Sequence, residues 1–196
     1  MKRNVVLRMP KMRWRVSDWP ELPYPGLRPP GSWRLSRGFV HSLDVDVLDD
    51  LIWVLAYGSN ANPAKLHRKG LDDVVVLEAT INDAKAVWCR ARRMAGDVVA
   101  TLVRSPGNVE SCPVLGLNPT QLDAVDGWEG HPVRYRREPF WGVCTVSSGI
   151  VVTPHVYVGT DIRPPLLVDG QVVGLRDLAY ADVDLIVATT ALSTTD

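Results

Sequence analysis

A chain of 196 residues, 46% of them hydrophobic, is long enough for one domain with a sizeable core and some additional chain. Its formal net charge of +0 removes any whole-molecule electrostatic reason to seek nucleic acid or anionic lipid. No apolar stretch approaches the roughly 20 residues that a membrane-spanning helix needs.

Met1-Lys2-Arg3 is basic, but no long apolar region follows it, so a secretory signal is not expected. Residues 1–50 differ in composition from residues 51–196. Prolines recur at Pro10, Pro20, Pro23, Pro25, Pro29 and Pro30, and Trp14, Trp19 and Trp33 alternate with arginines. Up to Phe39, basic residues outnumber acidic ones by nine to two. Proline removes backbone donors and pushes its predecessor toward extended geometry, so this stretch reads as an irregular extension rather than as core. It either wraps the domain and buries its own tryptophans or docks a protein or nucleic-acid partner, since Trp and Arg together stack on bases. Another alternative is an upstream extension from a mis-assigned start codon. Asp44, Asp46, Asp49 and Asp50 follow as a solvated linker and return the charge to zero.

From Leu51 the pattern turns to short strands. Leu51–Ala56 predicts a buried strand, Gly58-Ser59-Asn60 a tight turn, and Asn62-Pro63 an N-cap followed by the first residue of a helix over Pro63–Lys69. Such a unit aims free backbone N–H groups at one point and suits a carboxylate or oxyanion. Val74–Ile81, Lys85–Arg93, Val98–Val103 and Cys112–Leu117 read as strands, the third stopped by the turn Ser105-Pro106-Gly107. Asn118-Pro119 repeats the cap signal and opens a helix over Gln121–Val125. Tyr135–Val146 and Ile150–Val158 read as an antiparallel pair about Ser147-Ser148-Gly149. Asp161–Gly170 reads as loop, and the tail from Leu175 to Leu192 as ambiguous, with room for a helix. This pattern predicts an α+β domain, a small mixed β-barrel flanked by a few helices, rather than a doubly wound sheet.

Chemistry-bearing residues are sparse. Cys89, Cys112 and Cys144 form no C-x-x-C pair and sit in apolar runs as small buried hydrophobes, which fits a reducing cytoplasm. The four histidines are scattered, so no metal site is expected. No phosphate-binding loop or dinucleotide fingerprint is present. Glu129 stands out beside Trp128 and between Gly127 and Gly130. Partial desolvation would raise its pKa from about 4.3 and suit it to proton transfer near neutral pH; alternatively it simply ends a helix at the surface.

Three segments then come together. Leu55-Ala56-Tyr57-Gly58-Ser59-Asn60-x-Asn62-Pro63, Ala100-Thr101-Leu102-Val103-x-Ser105-Pro106-Gly107 with Val114-Leu115-Gly116, and Asp126-Gly127-Trp128-Glu129-Gly130 with Tyr135-Arg136-Arg137 each resemble a segment of the γ-glutamylcyclotransferase-like superfamily, in the family's order. Val156-Tyr157-Val158 with Pro164-Pro165 is a weaker fourth match. The resemblance spans roughly Leu51 to Leu192. It implies a small β-barrel with a cavity at one end, where Tyr57, Gly58, Ser59 and Asn60 bind the glutamyl part of a small γ-glutamyl amide, Glu129 is the acid–base residue, and Tyr135 and Tyr157 line the cavity. Relatives differ in leaving group: an amino acid, the cysteinylglycine of glutathione, the ε-amine of γ-glutamyl-lysine, or an acylated antibiotic precursor. His131-Pro132-Val133-Arg134 lies where a leaving-group pocket would be, with Arg134 either meeting a carboxylate or on plain surface.

The implied reaction needs no metal or organic cofactor. The substrate's α-amine closes a five-membered ring on its own γ-carbonyl, giving 5-oxoproline and a free amine, and well-oriented intramolecular attacks reach effective molarities of about 10⁵–10⁸ M. A base must deprotonate that amine, whose reference pKa is about 7.7–8.0. The alternatives are a non-catalytic ligand- or partner-binding domain of the same fold, and an amidohydrolase in which the glutamate activates water. The catalytic reading requires the Glu129 carboxylate to lie in a cavity within about 8 Å of the Tyr57–Asn60 backbone.

Overall fold

The computed structural model describes residues 12–43, 50–92 and 96–192. The acidic linker lies outside them except for Asp50, and so does Arg93 of the predicted strand Lys85–Arg93.

The proline-rich segment departs from its expected irregularity. It supplies β1 (Arg13–Arg15), β2 (Trp33–Ser36) and β3 (Phe39–Ser42). Ser36 pairs with Phe39 across the two-residue turn Arg37-Gly38, where both residues have positive φ, the geometry whose twist matches that of paired strands. Along β2 burial alternates, so Trp33 and Leu35 point into the core, and Val40 joins them from β3.

Next come β4 (Ile52–Leu55), α1 (Pro63–Arg68), β5 (Val74–Leu77), β6 (Ala79–Arg92), β7 (Val98–Ser111), β8 (Val114–Leu117) and α2 (Pro119–Glu129). They are followed by β9 (Tyr135–Pro139), β10 (Cys144–Val146), β11 (Val151–Val152), β12 (His155–Gly159), β13 (Leu167–Val168), β14 (Gln171–Val172) and α3 (Tyr180–Leu192). One sheet runs β1-β3-β2-β5-β8-β4-β12-β9 and a second β11-β10-β6-β7. As described, both ladders stay open, so the architecture is a mixed, sheet-rich α+β fold and not a closed barrel. The strands that could have bridged them divide. β9 and β12 remain paired in the large sheet, whereas β10 and β11 form a hairpin on β6.

Three more elements differ from the sequence reading. The predicted strand Val74–Ile81 breaks at Glu78, which separates β5 in one sheet from β6 in the other. Ser105-Pro106-Gly107 does not stop β7. Asn82 faces Val109 while Ala84 faces Arg104, so the turn loops out of the ladder opposite Asp83, whose carboxylate accepts the Gly107 N–H at 2.8 Å. The predicted loop Asp161–Gly170 carries the first strand of a hairpin, β13–β14, closed at Asp169-Gly170 with positive φ at both.

Core packing sets the helices in place. Leu66 of α1 and Leu122 and Val125 of α2 share one cluster with Trp33, Leu35, Val76 and Leu115, and Val183 and Val187 of α3 pack with Trp88 and Val98. All three cysteines are buried free thiols, and burial pushes Cys89 and Cys144 up to about 12.

Candidate active site

Among the described residues β4 and β12 are the only parallel neighbours in the large sheet, with His155 opposite Val54. Both strands therefore run out at the same end. Tyr57 follows one and Tyr157 lies near the end of the other, and the Tyr57 hydroxyl donates to the Tyr157 carbonyl at 2.5 Å. Burial raises the Tyr57 pKa well above its ordinary value, so this hydroxyl stays a donor at neutral pH.

After Tyr57 the chain passes Gly58 and makes a single 3₁₀ turn, Ser59–Ala61, before Asn62 caps α1 by accepting the Lys65 N–H at 2.8 Å. A side chain at position 58 would put its Cβ 2.5 Å from the Tyr24 hydroxyl, so only glycine allows this approach. Asn118 caps α2 in a reciprocal box with Gln121, and α2 ends at Gly130 in the left-handed conformation. Those two stops fix where Glu129, the last helical residue, emerges.

Glu129 faces the turn. Asn60 Nδ2 donates to Glu129 Oε1 at 3.1 Å, and the Glu129 side chain is only 14% exposed. Around the contact lies a cavity of about 720 Å³, within the range usual for small-molecule sites. Tyr57, Gly58, Ser59, Asn60, Glu129, Tyr135 and Tyr157, all singled out in the sequence, contribute to its wall. Tyr135 donates to the Ala100 carbonyl at 2.9 Å, and burial pushes its pKa up. Tyr157 donates to Asp126 Oδ1 at 2.6 Å, and Arg137 grips the same carboxylate through Nε at 2.9 Å and Nη2 at 3.1 Å. Burial alone would raise the Asp126 pKa; the bonds from Arg137 and Tyr157 outweigh it and leave it lowered. Arg134 also reaches the cavity, where its Nη2 donates to the Trp128 carbonyl at the end of α2 at 3.0 Å.

Several wall residues carried no sequence signal. Lys65, in α1, points back to the turn and donates to Ser59 Oγ at 2.9 Å and Asn60 Oδ1 at 2.6 Å. A lysine in a short helix ordinarily reads as solvent-facing. Glu21, Leu22 and Tyr24 come from the proline-rich segment. Asn62 Nδ2 holds that segment through the carbonyls of Trp19, Pro20 and Leu27 at 2.7–3.1 Å, and Arg68 clamps Glu21 at 2.7 and 2.6 Å.

No family model matches the chain, and neither does any curated protein. Solved structures do. A γ-glutamyl cyclotransferase is 18% identical over 71% of this chain and 79% of its own, with a TM-score of 0.50. An uncharacterized protein from Homo sapiens, loc79017, is 19% identical over 72% of this chain and 80% of its own, with a TM-score of 0.52. At such identities the likeness is one of fold, and it supports the γ-glutamylcyclotransferase-like fold that the turn and Glu-Gly motifs resemble. Among the described residues no helix is long and apolar enough to cross a membrane.

Proposed function

We propose that this chain is a γ-glutamyl cyclotransferase-type enzyme, acting on a small γ-glutamyl amide and releasing 5-oxoproline and an amine without a cofactor. The observation that carries the reading is the Asn60–Glu129 contact, which puts a shielded carboxylate directly against the donor-rich turn in one cavity.

In this reading the opening amides of the Ser59–Ala61 turn, which lack partners within it, receive the substrate's α-carboxylate or the developing oxyanion. The α-amine is thereby held over the γ-carbonyl. Glu129 takes a proton from the amine as its nitrogen forms the ring C–N bond. It returns that proton to the leaving nitrogen as the old amide C–N bond breaks. Positioned general acid–base catalysis of this kind contributes about 10²–10⁴ in rate, and orientation supplies much of the remainder. Tyr57, Tyr135 and Tyr157, kept protonated by burial, give the cavity a neutral hydrogen-bonding wall that excludes competing nucleophiles.

A panel of γ-glutamyl amides, assayed for 5-oxoproline, tests the reading. Glu129→Gln keeps the acceptor for Asn60 and should lower turnover by about 10²–10⁴ in a protein that remains folded. Full activity in that variant overturns the assigned role. Release of free glutamate in place of 5-oxoproline would identify an amidohydrolase, and binding without turnover would identify a ligand-binding domain.

A further inference from the structure

We infer that Lys65 is a positioning residue whose ammonium, acting through Asn60, fixes where the Glu129 carboxylate accepts and returns its proton. The inference rests on the cyclotransferase reading above and adds a group that the sequence motifs do not single out.

Lysine is almost never buried without a partner, yet Lys65 is 7% exposed. Its backbone N–H is tied to the buried cap Asn62 at 2.8 Å, so the side chain starts from a fixed point. The ammonium reaches Ser59 Oγ at 2.9 Å and Asn60 Oδ1 at 2.6 Å, and stands 4.0 Å from Glu129 Oε1. An asparagine amide has one acceptor end and one donor end. With its oxygen on the ammonium, the Asn60 NH₂ is turned to the carboxylate at 3.1 Å. The opposite orientation would set NH₂ against NH₃⁺ and oxygen against COO⁻, two repulsive contacts in a shielded site. The charge on Lys65 therefore selects one amide orientation, and that orientation pins one carboxylate oxygen. In this role Lys65 transfers no proton itself.

A purely structural role makes a different forecast. Buried ion pairs add little net stability, whereas deleting one partner leaves the other uncompensated; a structural lysine would lower stability and leave per-site turnover alone. The test uses the full chain with Lys65→Met and Lys65→Arg, first checked for cooperative unfolding, with Lys65→Gln replacing Lys65→Met if the latter does not fold. On a γ-glutamyl amide turned over by the unaltered protein, Lys65→Met should lower kcat by about 100-fold with KM changed less than about threefold, since a misplaced proton acceptor weakens stabilisation of the transition state and not substrate binding. Lys65→Arg, which keeps the charge and donors, should recover at least about tenfold of that loss. A neutral variant with unaltered kcat, a loss confined to KM, or no recovery with arginine overturns the inference. A second readout is independent of turnover. The Asn60 side-chain amide resonances should be distinct and slowly exchanging in the unaltered protein and in Lys65→Arg, and should shift and exchange faster in the folded neutral variant. Unchanged resonances there overturn the positioning role. Absence of turnover across the whole panel with the resonances behaving as expected defeats the cyclotransferase reading and leaves the positioning geometry supported.

Discussion

Asn62 caps α1 with its oxygen and, with its nitrogen, holds the carbonyls of Trp19, Pro20 and Leu27. Aspartate caps helices as well as asparagine does, so from the cap alone Asn62→Asp should be silent. At 1% exposure, however, it would set a second carboxylate oxygen against three carbonyl oxygens. Loss of those bonds plus an unpaired buried charge should cost about 3 kcal/mol or more. Urea unfolding measures this, and a change below about 0.5 kcal/mol would show that the segment is not anchored there. Asp126 makes a pH-dependent case. Its pKa is lowered from the ordinary 3.8 by bonds from Arg137 and Tyr157 that outweigh burial. A depressed folded-state pKa contributes stability in full above the unfolded value and loses it as pH falls through the folded value. Asp126→Asn should therefore be less stable at pH 7 and show a shallower fall in Tm below about pH 4. An acid profile parallel to that of the unaltered protein would remove Asp126 from the acid response.

At the scale of elements, the turn between β4 and α1 is squeezed by the segment that Asn62 anchors. A Cβ at position 58 meets the Tyr24 hydroxyl at 2.5 Å, and Tyr24 is itself buried against Trp88 with ring centroids 5.5 Å apart. Gly58→Ala should cost about 1–3 kcal/mol by overpacking, and Tyr24→Phe in the same chain should recover part of it by removing the atom that clashes. Equal costs with and without Tyr24→Phe would place the strain elsewhere. The strand–turn–helix unit itself was legible because its signals are local: an apolar run, a glycine turn, an Asn-Pro cap. The same holds for α2, whose Asn-Pro start is as plain, although its far end extends to Glu129. β7 was misread because a Ser-Pro-Gly turn stops a strand only if the partner strand stops too, and the Asp83 carboxylate instead absorbs the excursion. The Asp169-Gly170 hairpin carried a readable turn signal that Pro164 and Pro165 obscured. In the site, Tyr57 to Asn60 and Glu129 stood out through their motifs. Lys65 and Tyr24 did not, nor did the bonds that tie Tyr157 and Arg137 to Asp126, since each gains its meaning from neighbours distant in sequence or from burial that composition does not reveal.

Across the whole molecule, the compositional break near residue 50 does not coincide with a break in the sheet. β2 pairs with β5 from Trp33 to Leu35, and Trp33, Leu35 and Val40 are buried in the cluster that seats α1 and α2. Side chains of this size gain about 1.5–3 kcal/mol each on burial, so the three together contribute about 4.5–9 kcal/mol, comparable with the 5–15 kcal/mol by which whole domains are stable. Prolines and arginines dominate the segment's composition and mask those few core positions. Removing residues 1–43 should therefore do more than expose the cavity beside Tyr57. It would leave β5 as an edge strand, with its all-buried Val74–Leu77 open to pairing with other chains. The shortened chain should aggregate on size-exclusion chromatography and lack the cooperative urea transition expected of the full chain. A shortened chain that stays monomeric and unfolds cooperatively would make the segment an appendage and return it to the role of a docking arm for a partner.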